Sequence, residues 1–167
     1  MKVISNAELF GGKICAALDR QHPRDLFDIH QLYENGGISS EIKDGFMAAL
    51  LSHNRPINEM LSPNLRDQRT LFENQFEGMA LSSFPYVSFE ETRDRLVKDI
   101  NSLFSDQEKL FLIGFKKGKP EWGLINIEKL QDLPAVQWKL QNILKFKEQK
   151  PKEYALSLVK LEKILYS

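Results

Sequence analysis

The 167-residue sequence contains one cysteine, three histidines, no excess of either charge and no long apolar run. Each shortage excludes something. A lone Cys15 cannot close an internal disulfide, and its neighbours Ile14, Ala16 and Ala17 give it the setting of a core residue, so a reducing cytoplasm is expected. His22, His30 and His53 lack Cys or Glu partners at ligand spacing, and no metal site is expected from them. With 23 Lys+Arg against 23 Asp+Glu, no overall positive field draws the chain to phosphate backbones or anionic lipid. Any nucleic-acid contact must be local. The longest apolar runs, 48–51 and 110–113, are far too short to span a bilayer, and no signal segment opens the chain. Neither membrane insertion nor secretion is expected. Strand-like alternation is missing except for a short β-like stub at Met1–Ser5, which has no partner strand.

What remains is helical. A hydrophobic fraction of 42% and a charged fraction of 28% fit a globular protein, and the length fits a single domain over 1–167. Asn6 is the expected N-cap of a helix over 7–20, with Ala7, Phe10, Ile14, Ala17 and Leu18 along one face. Gly11 and Gly12 interrupt it, which calls for a close approach by a neighbouring backbone or a ligand. Pro23 opens a second helix, which Asn35-Gly36-Gly37 ends. Residues 1–37 therefore read as a hairpin and 38–167 as a helical body. Ser39-Ser40-Glu41, Ser88 with Glu91, and Ser105 with Glu108 mark further helix starts. Two more follow Leu133-Pro134 and Pro151. The expectation is an all-α bundle of about six to eight helices.

Charge gathers on the hairpin. Lys13 and Arg20 are separated by seven residues, which places them about 20° apart around a helix axis. Folding the hairpin returns Asp25 and Asp28 alongside them. Two readings fit: a salt-bridge network that pins the helices together, or a triphosphate clamp in which lysine is a point charge and arginine a bidentate fork. Gly12-Lys13 is no P-loop, because position 7 is alanine and Ile14 stands where Ser or Thr belongs. Lys116, Lys117 and Lys119 with Trp122 form either a solvated loop with one anchoring aromatic or an RNA contact. Trp138, amid Val136, Leu140 and Ile143, is expected in the core.

The stretch Glu8 to Arg20 and the run Arg24-Asp25-Leu26-Phe27-Asp28 resemble the Lys-x6-Arg and Arg-Asp-x-x-Asp motifs of the AbiEii/AbiGii toxins. Residues 133–142 are similar to a segment near the C-terminus of the same family. The resemblance implies a DNA polymerase β-like nucleotidyltransferase, the toxic half of a type IV toxin–antitoxin or abortive-infection system. By position, Lys13 and Asp25 would be catalytic, Lys13 touching the triphosphate, while Arg20, Arg24 and Asp28 would bind substrate. The family also implies Mg²⁺ with a nucleoside triphosphate, an RNA acceptor and an antitoxin. Its Gly-Ser and Asp-x-Asp pairs are missing from this sequence. The chain therefore reads as a truncated, C-terminal part, with no cofactor of its own and inactive alone, that a separately encoded N-terminal half would complete. The alternative is a non-enzymatic interaction module. In that case an apolar surface around Met1–Phe10 would bind the antitoxin, a partner chain or a second copy.

Overall fold

Helix starts follow the capping chemistry of the sequence, with two shifts. The computed structural model describes residues 4–76, 78 and 83–167. Helix α1 spans Asn6–Arg20 and is capped by Ser5, not Asn6: the Ser5 side chain accepts from the Glu8 backbone N–H while the Glu8 carboxylate accepts from that of Ser5. This reciprocal box satisfies two otherwise orphaned donors, which a lone Asn cap cannot do. Helix α2 (Pro23–Glu34) is capped by His22, whose Nδ1 accepts from the Arg24 backbone. Ser39 caps α3 (Ser40–Ser52) by accepting from the Ile42 backbone. Short helices α4 (Ile57–Leu61) and α5 (Arg69–Gln75) follow. Helix α6 (Tyr86–Leu103) begins before Ser88, because the Phe89 N–H already reaches the Pro85 carbonyl. Ser88 is therefore an interior residue rather than a cap. Ser105 and Glu108 form the expected box on α7 (Asp106–Lys116), and prolines occupy the first turns of α8 (Pro134–Gln149) and α9 (Pro151–Tyr166).

The protein is all-α, with nine α-helices and no strand among the described residues. Met1–Val3, the start of the β-like stub, lie outside those residues, and Ile4 and Ser5 are not in a strand. None of the described helices is long and apolar enough to cross a membrane. The chain forms two compact units interleaved in sequence, one of Met1–Ala49 with Pro63–Ile100 and one of Leu50–Ser62 with Asn101–Ser167.

In the first unit, α1 and α2 bury Ile14, Ala17, Leu18, Leu26 and Ile29. Each large aliphatic side chain so buried contributes about 1.5–3 kcal/mol. Phe72, Phe76 and Phe84 meet Phe27 and Phe89 in an aromatic cluster with ring centres 5.3 to 6.3 Å apart. Gly11 lies directly against Gly45 of α3, so close that a β-carbon on either would fall within the other helix's backbone. Of the two adjacent glycines, only Gly11 serves this crossing; Gly12 faces open space.

In the second unit, Phe111 and Phe115 of α7 pack on Trp122, which anchors the loop after them. Lys116 is buried rather than part of a solvated lysine loop, and its carbonyl accepts from the Tyr154 hydroxyl at 2.9 Å. Trp138 is 61% exposed, contrary to the core position its apolar neighbours suggest. Helix α8 buries Val136, Lys139 and Ile143 instead. The Lys139 ammonium donates to the carbonyls of Leu50, His53 and Arg55 at 2.9, 2.8 and 2.8 Å, and this polar anchor sets which face of α8 turns inward.

Burial lowers the Lys116 pKa below the ordinary 10.5, since desolvation disfavours its ammonium form. Between that lowered value and 10.5 the unfolded chain binds more protons, so stability rises with pH through this window. Replacing the charge with Lys116→Met is expected to stabilise the protein by about 1 kcal/mol at neutral pH. The gain should shrink as the pH approaches 10.5. Thermal melts of both proteins across that range check it; a gain that grew with pH would contradict the assignment.

Candidate functional site

The hairpin brings together the charged residues singled out in the sequence. Helical phase puts Lys13 and Arg20 on one edge of α1, and the sharp His22-Pro23 reversal brings α2 back beside it. Lys13 Nζ donates to Asp28 Oδ2, and Arg20 donates to Asp25 Oδ1 at 2.9 Å. Arg24, in the first turn of α2, is exposed. The five residues thus form two cross-hairpin ion pairs with Arg24 beside them.

Exposure decides what those pairs can be worth. The Arg20 side chain is 63% exposed and that of Lys13 30%. Ion pairs so open to water contribute about 0–1 kcal/mol, a small sum beside the apolar core beneath them. Holding the hairpin together therefore does not require them. An ammonium has three donors and a guanidinium five, and each cation here gives one hydrogen bond to its carboxylate. Both retain capacity for an anion. Asp25 is the more buried acid, and its Oδ2 is sealed from solvent without a hydrogen-bond partner. Leaving a buried acceptor unfilled costs roughly 1–3 kcal/mol.

A second layer of contacts could not be read from the sequence. Gln21 ends α1 in the left-handed conformation, at φ 51°, and is almost fully buried. Its amide donates to the Asn64 carbonyl at 2.7 Å and accepts from the Arg66 backbone at 2.9 Å. Gln68 adds a hydrogen bond to the Arg20 carbonyl at 3.2 Å. Arg93, stacked over Phe89 at 5.4 Å, donates to the Arg66 carbonyl at 2.6 Å. Segment 64–69 is thereby fastened across the end of α1, bringing the exposed Arg66 and Arg69 into the same neighbourhood. Asp67 is held below the usual carboxylate range, first by the Arg69 backbone N–H and then by the Tyr86 hydroxyl. A glycine is the usual left-handed helix terminus, so nothing in the sequence marks Gln21 for this role.

Among the described residues no three His, Cys, Asp or Glu side chains stand close enough together to hold a metal ion. Asp25 and Asp28 already face cations, so the donor set here does not suit a divalent metal. What the edge offers is positive charge with oriented donors, backed by one half-satisfied carboxylate. Such a set suits an anion with several oxygens.

The family model for the nucleotidyl transferase AbiEii toxin of type IV toxin–antitoxin systems matches residues 1–142. Comparison with curated proteins and with solved structures gave no match.

Proposed function

Since this chain belongs to the AbiEii family of nucleotidyl transferase toxins of type IV toxin–antitoxin systems, we propose that the α1–α2 hairpin forms the phosphate-facing edge of its nucleotide site. The observation that carries this reading is the pair of solvent-accessible cations, Lys13 and Arg20, held on one helix edge by Asp28 and Asp25. In nucleotidyl transfer an acceptor oxygen attacks the α-phosphorus and pyrophosphate leaves. Lys13 and Arg20 neutralise the triphosphate oxygens, and Arg24 extends the same positive edge. Asp28 holds Lys13 in register. The buried Asp25 oxygen accepts a hydrogen bond from the bound nucleotide once Arg20 turns toward phosphate.

Charge neutralisation and orientation are the hairpin's share of catalysis. The chain has no Gly-Ser and no Asp-x-Asp pair. A completing segment, in the same polypeptide or encoded separately, would supply them together with the carboxylates for Mg²⁺. On this reading the 167-residue chain binds nucleotide weakly and does not turn it over. An antitoxin is the protein partner that the family implies, and RNA is the acceptor that fits such a transferase.

Isothermal titration with each nucleoside triphosphate and Mg²⁺ tests the proposal. Lys13→Ala or Arg20→Ala is expected to weaken binding about tenfold or more, since a lost charged hydrogen bond is worth about 1.5–3 kcal/mol. The thermal midpoint should move little, because each exposed pair contributes about 0–1 kcal/mol. If both variants melt well below the parent and bind as well as it does, the network is structural and the nucleotide role fails.

A further inference from the structure

The second unit contains a cavity of about 190 Å³ between the chain that follows α3 and the face of α8, with Lys116 of α7 also lining it. Its walls are largely apolar and include Pro56, Ile57, Ile143, Phe146 and Trp138. Two observations set it apart from an ordinary packing gap.

The first is an uncompensated charge. Lys116 is 3% exposed, yet no hydrogen bond or ion pair involves its ammonium among the described residues. Aromatic faces are its nearest partners, with the ring centres of Phe146 and Tyr154 at 5.8 and 5.9 Å. The one carboxylate whose field reaches it, Glu59, is paired with Arg55 at 3.3 Å. Lys139, by contrast, is satisfied by three carbonyls. A buried ammonium without an acceptor is costly, and an anion entering the cavity would relieve that cost.

The second is the exposed indole. Trp138 contributes little to folding at 61% exposure, but it lines the cavity. Lys145 Nζ lies 5.7 Å from its ring centre and adds positive charge. An apolar cavity of about 150 Å³ holds one benzene ring, so this volume suits a single ring with a small substituent. Sites for larger ligands run from about 300 Å³ upward, which excludes an enclosed nucleotide.

We propose that this cavity binds a small aromatic carboxylate, its ring lodged between Trp138 and Phe146 and its carboxylate on the Lys116 ammonium. The cavity and the hairpin lie in different units and share no residue.

Fluorine NMR of the full chain with 4-fluorobenzoate and its neutral counterpart 4-fluorobenzamide tests the assignment. The carboxylate is expected to bind at least about tenfold more tightly than the amide, an advantage worth about 1.4 kcal/mol. Lys116→Met should reduce the carboxylate to the amide's affinity. Trp138→Ala, which removes an exposed side chain and leaves the fold intact, should weaken both ligands severalfold. This second variant tests the aromatic wall independently of the charge. Equal affinity for the two ligands, carboxylate binding unchanged in Trp138→Ala, or no binding at millimolar concentration would overturn the proposal. So would capture of a peptide C-terminus with no affinity for the free acid, which would assign the cavity to a protein partner.

Discussion

Alanine at Gly11 or at Gly45 is expected to dismantle the packing of α1 on α3. A β-carbon on Gly11 meets the carbonyl carbon and oxygen of Gly45 and the backbone nitrogen of Phe46, while one on Gly45 meets the carbonyl of Ala7. These are main-chain atoms. A crowded side chain can rotate away, but a helix backbone can move only as a whole, and the helices would have to part against a close-packed core. Overpacking of this kind costs about 3 kcal/mol, set against a total stability of about 5–15 kcal/mol for a typical domain. Urea titrations of Gly11→Ala and Gly45→Ala should show midpoints far below that of the parent. Gly12→Ala is the internal control, because nothing lies within 4 Å of its β-carbon position. There the better helix former should add about 1 kcal/mol. Parent-like melting of Gly11→Ala would mean the two helices do not touch as described.

Removing the Lys139 ammonium is the other change with a large expected effect. Its three hydrogen bonds go to carbonyls at and beyond the C-terminal end of α3, where intrahelical donors have run out and the helix dipole is negative. Lys139→Met keeps the side-chain length but leaves those carbonyls without the donor they share. Taking one partner from a buried charged network costs about 3 kcal/mol. Lys139→Arg should recover less than half of the loss, since a planar fork cannot direct three bonds at convergent acceptors as an ammonium does. Denaturant midpoints of the two variants check this, and an unchanged Lys139→Met midpoint would refute it. The result also separates two buried lysines that sequence alone makes look alike: loss of charge should destabilise at Lys139 and stabilise at Lys116.

Features with a local cause were legible in the sequence. Seven-residue spacing gave the shared edge of Lys13 and Arg20, and the His22-Pro23 break predicted the hairpin that returns Asp25 and Asp28 to them. Ser105 with Glu108 is the capping box it resembles. Ser88 with Glu91 has the same pattern but lies inside α6, because Pro85 starts the helix earlier. Local signals compete, and the more N-terminal one won. Features with a distant cause were not legible. Gln21 is buried because of Asn64 and Arg66, and Lys139 because of the chain after α3. Neither residue type is expected inside a protein. Trp138 follows from the same blindness: once a lysine occupies the inward face of α8, the neighbouring indole is turned out.

The interleaving of the two units bears on how the protein is made. During synthesis the first 49 residues emerge with the whole of one unit's hairpin, but that unit needs 63–100 before it is complete. The intervening stretch 50–62 leaves the ribosome early and must wait for residues 101–167, which supply the rest of its unit. The three carbonyls that Lys139 will satisfy are thus translated more than eighty residues ahead of their donor. Neither unit can be obtained by a single cut of the gene, and a chain released after residue 100 would hold all of one unit and only the first strip of the other.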